Sequence, residues 1–291
     1  LNKKIVFIGF ENDYDKIGVE ELKTIYDIRT ININKTVRKV IKKLSLSHDR
    51  FHRVIAILIR LRLKLHRNSL VLLKDENDYI GMQKYSSTKL VLILRNTINE
   101  LDWLKNKKSR IYSFDIKDCE KYNLLTYDQY APTVKVETGS ITSDIVFVGT
   151  DKGRSSLLKG IEKTLSHKYQ VNISVIKDSN NSMTYLDYIK FQLTGKVILD
   201  IVKESQTTES MRFVEALSNG RKVITNNIAV KKHKLYNESN VMYFSNLTEL
   251  SLNIDKFIST KFQNYNKQEL SSFTSLCVLD KIIRENITLG E

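Results

Sequence analysis

A chain of 291 residues is long for one doubly wound unit and suits two of roughly 130 to 150 residues each. Hydrophobic residues make up 41% and charged residues 27%, which excludes extensive disorder, and no apolar run reaches the ~18 residues of a membrane-spanning helix. A formal net charge of +14 calls for an anionic partner, while two distant cysteines, Cys119 and Cys277, exclude a disulfide framework or a C-x-x-C zinc site and suit a reducing compartment.

In chain order, Leu1 to Phe10 reads as a short strand rather than a signal peptide, with K-K-I-V-F-I-G ending in Gly9. A polar loop leads to a helix over Val19 to Tyr26 and a strand over Tyr26 to Ile33. Helices are expected over Lys35 to Leu46 and Arg50 to His66, although Arg60 to His66 alternates with period two. The apolar runs Ser69 to Leu73, Leu90 to Leu94 and Arg110 to Phe114 read as buried parallel strands, so the first half is a covered parallel sheet. After a polar stretch from Tyr122 to Ser143, which holds the single proline Pro132, the pattern restarts with D-I-V-F-V-G at Asp144 to Gly149. Strands then alternate with helices: helix Ser155 to His167, strand Val171 to Ile176, helix Ser182 to Phe191, strand Lys196 to Ile201, helix Glu209 to Ser218, and strands Lys222 to Thr225 and Val241 to Phe244. Two amphipathic helical patterns, Leu247 to Ser259 and Lys267 to Arg284, close the chain.

The most specific stretch is Thr208 to Asn227, T-E-S-M-R-F-V-E-A-L-S-N-G-R-K-V-I-T-N-N, preceded by I-L-D-I at Ile198 to Ile201 and followed by Y-N-x-x-N-V-x-Y-F at Tyr236 to Phe244. It resembles the donor-binding segment of GT-B glycosyltransferases of bacterial capsule, O-antigen and lipopolysaccharide biosynthesis, with Glu215, Ala216, Gly220, Lys222, Val223 and Ile224 matching the pattern. The resemblance covers Asp144 to Phe244 well and the first half weakly. It implies an α/β, GT-B-like fold: two doubly wound, Rossmann-like domains facing a cleft, with a helical C-terminal tail. The expected organisation is an acceptor-side domain over residues 1–140, a nucleotide-sugar-binding domain over 141–260, and a tail over 261–291 packing back toward the first domain. The resemblance further implies transfer of a sugar from a UDP-, GDP- or TDP-linked donor to a lipid-linked, lipopolysaccharide or capsule glycan acceptor. The donor is a substrate, and no cofactor is expected.

Physical chemistry gives the same segment a role in anion binding. A helix starting after the polar loop at Thr208 offers N–H groups and a positive dipole end to a diphosphate. Arg212 adds a charge-assisted bond, and Glu215, on the same helix face, is implied by the resemblance to accept from ribose hydroxyls, with Asn226 in the turn beyond the next strand. Gly220 is placed to close the helix in a left-handed conformation. An exposed Glu215 and a merely capping Gly220 would explain the pattern equally simply. Many relatives carry a second, sugar-binding glutamate upstream; Thr207 occupies that position here, so neither a sugar contact nor a retaining outcome is carried over.

A second anion-binding candidate is G-T-D-K-G-R-S-S at Gly149 to Ser156. Its glycine spacing and Arg154 depart from the P-loop, which excludes ATPase chemistry, but Gly149, Lys152, Gly153 and Arg154 suit a pyrophosphate; a plain basic turn is the alternative. Residues 35–67 hold eleven Lys or Arg and one acid, Asp49, interleaved with apolar residues at helical spacing. They suit either an anionic membrane surface or a core helix with a solvated basic face. The expected location is accordingly cytoplasmic, with peripheral contact at the inner face of the membrane.

For the catalytic base, Asp13 and Asp15 lead a pool of strand-end carboxylates that includes Asp75 and Asp78, and Arg95 and Asp75 are expected at the acceptor side. Asp115 and Asp118 read as a helix N-terminus. No H-E-x-x-H or comparable metal-ligand spacing occurs, so metal-independent transfer is expected, and no G-x-S-x-G or G-x-G-x-x-G supports hydrolase or dinucleotide chemistry. Three other readings remain: an epimerase-like nucleotide-sugar enzyme on the same fold, a non-catalytic subunit of a transferase pair, and a basic nucleic-acid-binding protein. The last lacks a recognised binding motif, and no nucleic acid is expected as partner.

Overall fold

The computed structural model describes residues 4–45, 47–66, 68–74, 82, 90–98, 109–134, 140–176, 183–203 and 206–287, with the side chains of 35, 48 and 49 excepted. The chain divides into two compact units, one of Leu1–Asp128 with Ser275–Glu291 and one of Gln129–Thr274. Among the described residues no helix is long and apolar enough to cross a membrane.

The first unit is built on a parallel sheet of β1 (Lys4–Ile8), β2 (Asp27–Ile31), β3 (Leu70–Leu73), β4 (Leu90–Ile93), β5 (Arg110–Ser113) and β6 (Leu125–Thr126), in the order β2-β1-β3-β4-β5-β6. β1, β3 and β4 are apolar without alternation because both of their faces are covered. The order reverses between β1 and β3, which makes their C-terminal ends the topological switch point of this sheet. Helix α1 runs Asp13–Leu22, earlier than the helix expected over Val19 to Tyr26. Acidic Asp13 and Asp15 in its first turn favour the positive end of the helix dipole, so both lie on a helix rather than in a loop. Helices α2 (Lys35–Leu44) and α3 (His48–Leu63) follow, capped by Asn34 and Ser47 side chains that accept from Thr36 N (2.8 Å) and Arg50 N (3.3 Å). The alternation over Arg60 to His66 gives way to helix as far as Leu63, because Ile55, Ile59 and Leu63 recur at helical spacing and pack against Val6, Ile8, Val71 and Leu73 of the sheet. Helix α4 (Ile116–Tyr122) is capped by Asp115, which accepts from Asp118 N at 3.2 Å.

The second unit repeats the topology. Strands β7 (Ser143–Thr150), β8 (Val171–Ile176), β9 (Gly195–Asp200), β10 (Lys222–Thr225) and β11 (Val241–Tyr243) form a parallel sheet in the order β11-β10-β9-β7-β8, with its switch point between β7 and β9. Successive side chains of one strand face opposite layers. Ile145 and Phe147 pack with Leu158 and Ile161 of α5 (Ser155–Leu165), while Val146 packs with Phe213 and Leu217 of α7 (Met211–Ser218). Helix α6 (Tyr185–Leu193) precedes β9, and α8 (Leu247–Ser259) adds Leu250 and Ile254 to the Phe147 layer. Gly220, at φ +66°, ends α7 in the left-handed conformation expected of it.

After the short helix α9 (Lys267–Ser271), the chain returns to the first unit as α10 (Ser275–Ile287). There α10 packs on α1 at Gly18 and is tied by Tyr26 Oη to Asp280 (2.6 Å) and Tyr112 Oη to Glu285 (2.9 Å).

Candidate functional site

Each sheet carries a charged cluster at its switch point, and the larger one lies in the second unit. Two guanidiniums there share the ring of Phe147 on β7, Arg212 at 4.8 Å and Arg154 at 5.3 Å from its centroid. Arg212, in the first turn of α7, reaches back under the strand ends and donates to Val148 O (3.0 Å) and Asp200 Oδ1 (3.3 Å). Gly149 leaves room for this approach, since a Cβ there would stand 2.7 Å from Arg212 Nη2 and the guanidinium would have to shift. Arg154 ties three carbonyls together, donating to Asp151 O (3.0 Å), Thr150 O (2.5 Å) and Ile201 O (2.6 Å), and so joins the ends of β7 and β9. Lys152, at φ +47°, and Gly153, at φ +82°, form the left-handed tip of the loop.

Several cations of this cluster lie close enough to repel one another. Desolvation, followed by repulsion from Arg212, lowers Arg154 to about 10. Desolvation and then the positive charges of Arg154, Lys203 and Arg212 lower Lys152. The carboxylate facing these groups from within is Asp200, fully buried at the end of β9, where burial raises its pKa against the pull of Arg212 and Ser210. Its Oδ1 accepts from Arg212 and Ser210, and its Oδ2 has no hydrogen-bond partner. Asp151 is already spent on the start of α5, accepting from Arg154 N (3.0 Å), Ser155 N (2.8 Å) and Ser155 Oγ (2.6 Å). Four cations, Lys152, Arg154, Lys203 and Arg212, gathered at one set of strand ends favour an anion there.

Three of the expected donor-binding residues sit differently from the sequence reading. Glu215 is 2% exposed and accepts from Tyr185 Oη (2.7 Å) and Tyr188 Oη (3.1 Å); burial raises its pKa against these bonds and Arg212, so it is no open carboxylate awaiting a ribose. Asn226 commits its amide to Val202, accepting from Val202 N (2.9 Å) and donating to Val202 O (3.2 Å). Thr208 is buried, its carbonyl accepting from Asn227 Nδ2 (2.9 Å) and Gln206 Nε2 (3.0 Å), and the start of α7 is closed by Ser210 Oγ, which accepts from Arg212 N (3.1 Å). The loop residues Gly149, Lys152, Gly153 and Arg154 do converge with Arg212. Asp200, Lys203, Tyr185 and Tyr188 were missed; a charged residue closing the apolar run V-I-L-D was the available signal for Asp200.

The first unit's switch point gathers Asp15, Tyr14, Lys74 and Arg95. Asp15 Oδ2 accepts from Lys74 Nζ, which also donates to Tyr14 Oη (3.0 Å) and lies 4.6 Å from the Tyr14 ring centroid, with Arg95 at 5.8 Å from the same ring. Burial raises the Asp15 pKa, opposed by Lys74 and Arg95, and Asp15 Oδ1 has no hydrogen-bond partner. Asp13, by contrast, is more than half exposed and pairs with Lys16 at 3.1 Å, a turn of helix surface rather than a site. Asp75 and Asp78 lie outside the described residues. Among the described residues no group of three or more His, Cys, Asp or Glu is placed to hold a metal ion.

No family model and no curated protein matches the chain. Solved structures do match it in shape. The UDP-GlcNAc 2-epimerase of Methanocaldococcus jannaschii, in complex with UDP-GlcNAc and UDP, superposes with a TM-score of 0.56 at 12% identity over 98% of this chain and 100% of its own. AviGT4, a glycosyltransferase involved in avilamycin A biosynthesis, also gives 0.56, at 7% identity over 99% and 98%. T4 phage BGT in complex with UDP and Mn2+ gives 0.53, at 10% identity over 98% and 97%. The chain has the GT-B fold. Within the GT-B fold the cation cluster and the Asp15 cluster occupy equivalent positions in two similar sheets, each where a doubly wound unit receives ligands.

Proposed function

We propose that this GT-B protein is a glycosyltransferase that moves a sugar from a nucleoside-diphosphate donor to a lipid-linked, lipopolysaccharide or capsule glycan acceptor. The observation that carries the reading is the convergence of Lys152, Arg154, Lys203 and Arg212 at the β7–β9 switch point, where Asp200 and Glu215 are buried behind them and Asp151 is spent on the start of α5. The donor diphosphate is held through Lys152, the Gly153 backbone, Arg154 and Lys203. Arg212 and Glu215 act from behind, fixing that loop through Asp200 and the two tyrosines. UDP in the M. jannaschii and T4 phage complexes supports a uridine diphosphate among the candidates, with GDP and TDP beside it.

In the reaction, the bond from the anomeric carbon to the donor phosphate breaks as the acceptor oxygen attacks. Charge develops on the leaving diphosphate, and fixed cations at that point lower the barrier without a protein-held metal. Of the carboxylates considered for taking the acceptor proton, Asp15 has the surroundings of a base: burial raises its proton affinity and one oxygen carries no hydrogen bond.

The test is turnover of UDP-, GDP- and TDP-sugars with a bacterial lipid extract as acceptor, with and without EDTA. Acceptor-dependent release of one nucleoside diphosphate, unchanged by EDTA, is expected. Conversion of the sugar without release of the diphosphate would replace the transferase with the epimerase-like reading, which the equal TM-score of the epimerase structure keeps in view.

A further inference from the structure

Lys152 stands at the outer tip of the loop between β7 and α5. Asp151 O accepts from Arg154 N at 3.0 Å across a turn whose two central residues, Lys152 at φ +47° and Gly153 at φ +82°, are both left-handed, and this fixes the tip. The tip is open: Lys152 and Gly153 are exposed, and a Cβ built on Gly153 would meet nothing within 4 Å. A left-handed lysine is strained, and no side-chain bond to another described residue compensates it. Asp151 beside it is turned to Ser155 Oγ (2.6 Å) and to the N–H groups of Arg154 and Ser155, while Asp200 is buried and paired with Arg212.

What surrounds the Lys152 amine is cationic: Arg154, Lys203 and Arg212, the two guanidiniums sharing the Phe147 ring. Desolvation, and then these charges, hold its ammonium below the ordinary lysine range. An amine crowded by cations is unprotonated in a larger fraction and is the better nucleophile for it. The same cations draw an anion to the amine. A molecule that joins an electrophilic carbonyl to a phosphate meets both conditions at once. We propose that Lys152 is a modification site for acyl phosphates. The unprotonated Nζ attacks the acyl carbon, the bond from that carbon to the bridging oxygen breaks, phosphate leaves with the electron pair, and the amine proton passes to water. The product amide is neutral, so one cation of the cluster is lost and the diphosphate donor binds more weakly. That last consequence rests on the transferase reading, whereas the acylation itself requires only that the cluster hold a phosphate.

The experiment is incubation of the full chain with acetyl phosphate, with acetylation of each lysine followed over time by peptide mass spectrometry. Lys152 is expected to react on the order of ten times faster than Lys159 and Lys163, which are exposed on α5. With N-acetoxysuccinimide, an uncharged acetylating reagent, that preference should shrink, because no phosphate anchors it. Pyrophosphate in excess should suppress the reaction of acetyl phosphate at Lys152 and leave Lys159 unchanged. Lys203→Ala, a change of an exposed side chain, should slow acetylation of Lys152 severalfold. Protection by pyrophosphate but by none of UDP, GDP and TDP would support the modification site while counting against a nucleotide donor. Lys152 no faster than Lys159 and Lys163 with acetyl phosphate, a preference as large with the uncharged reagent, or one that pyrophosphate leaves intact would each overturn the proposal.

Discussion

Arg212→Met is the sharpest test of how the cation cluster is built. Arg212 is 8% exposed, and its removal deletes the bonds to Asp200 Oδ1 and Val148 O and leaves the Asp200 carboxylate, already short of one partner, without its ion pair. Breaking one side of a buried pair costs about 3–5 kcal/mol, which for a unit of this size corresponds to a melting point lower by on the order of 10 °C. The pH dependence has a definite sign. Burial already holds the Asp200 pKa above its ordinary value, and losing Arg212 raises it further. A folded-state pKa above the unfolded one contributes stability below the unfolded value, about 3.9, that is lost as pH rises through the folded value. The variant's deficit should therefore shrink on acidification and be largest at neutral pH. Asp200→Asn combined with Arg212→Met should recover the part of the loss that comes from the stranded Asp200 charge, while Glu215, which Arg212 also offsets, keeps its tyrosine hydrogen bonds. Urea unfolding at several pH values measures all of this. A cost below about 1 kcal/mol, or a double variant no more stable than Arg212→Met, would refute the argument.

Glu215→Ala should cost about 2–4 kcal/mol in urea unfolding, since it removes the buried carboxylate that accepts from Tyr185 and Tyr188 and leaves a cavity beside Arg212, whereas Glu215→Gln should keep nucleotide affinity within about tenfold, the equivalent of 1.4 kcal/mol. Asp15→Asn should lower kcat by about 10²–10⁴-fold while nucleoside-diphosphate affinity is retained; equal losses in both would make Asp15 a structural partner of Lys74 alone. Gly18→Ala gives a helix its best former, yet should destabilise by about 1–3 kcal/mol, because the new Cβ would stand 2.6 Å from Ser275 Cβ where α1 meets α10; a rise in melting point would contradict that packing.

The parallel strands were legible because they are short, continuous apolar runs such as I-V-F-I and V-I-L, and no other element of this composition has that length and bounding. The start of α1 was not, since Asn12 to Lys16 is polar throughout and the helix is fixed by Val19 and Leu22 packing further along. At the site, loop residues Lys152 and Arg154 could be read because glycines and cations after an apolar strand have a local meaning. The inversion of Glu215 could not, because its partners Tyr185 and Tyr188 lie on another helix, and nothing in the local spacing tells a buried carboxylate from one open to a ligand. Asp15 and Arg95 meet for a similar non-local reason: β1 and β4 flank β3, whose following residue Lys74 is held by Asp15.

The central claim is that the second unit's switch point binds a nucleoside diphosphate, and thermal unfolding against UDP, GDP and TDP tests it most directly. Ligand at 100 times its Kd adds about 2.7 kcal/mol to the folded state, a rise of several degrees that is easily resolved. The account predicts such a rise with one of the three, lost in Lys152→Ala with Lys203→Ala, where both changed side chains are exposed and the apo melting point should hold. No rise with any of them, or a rise undiminished in that double variant, would contradict it.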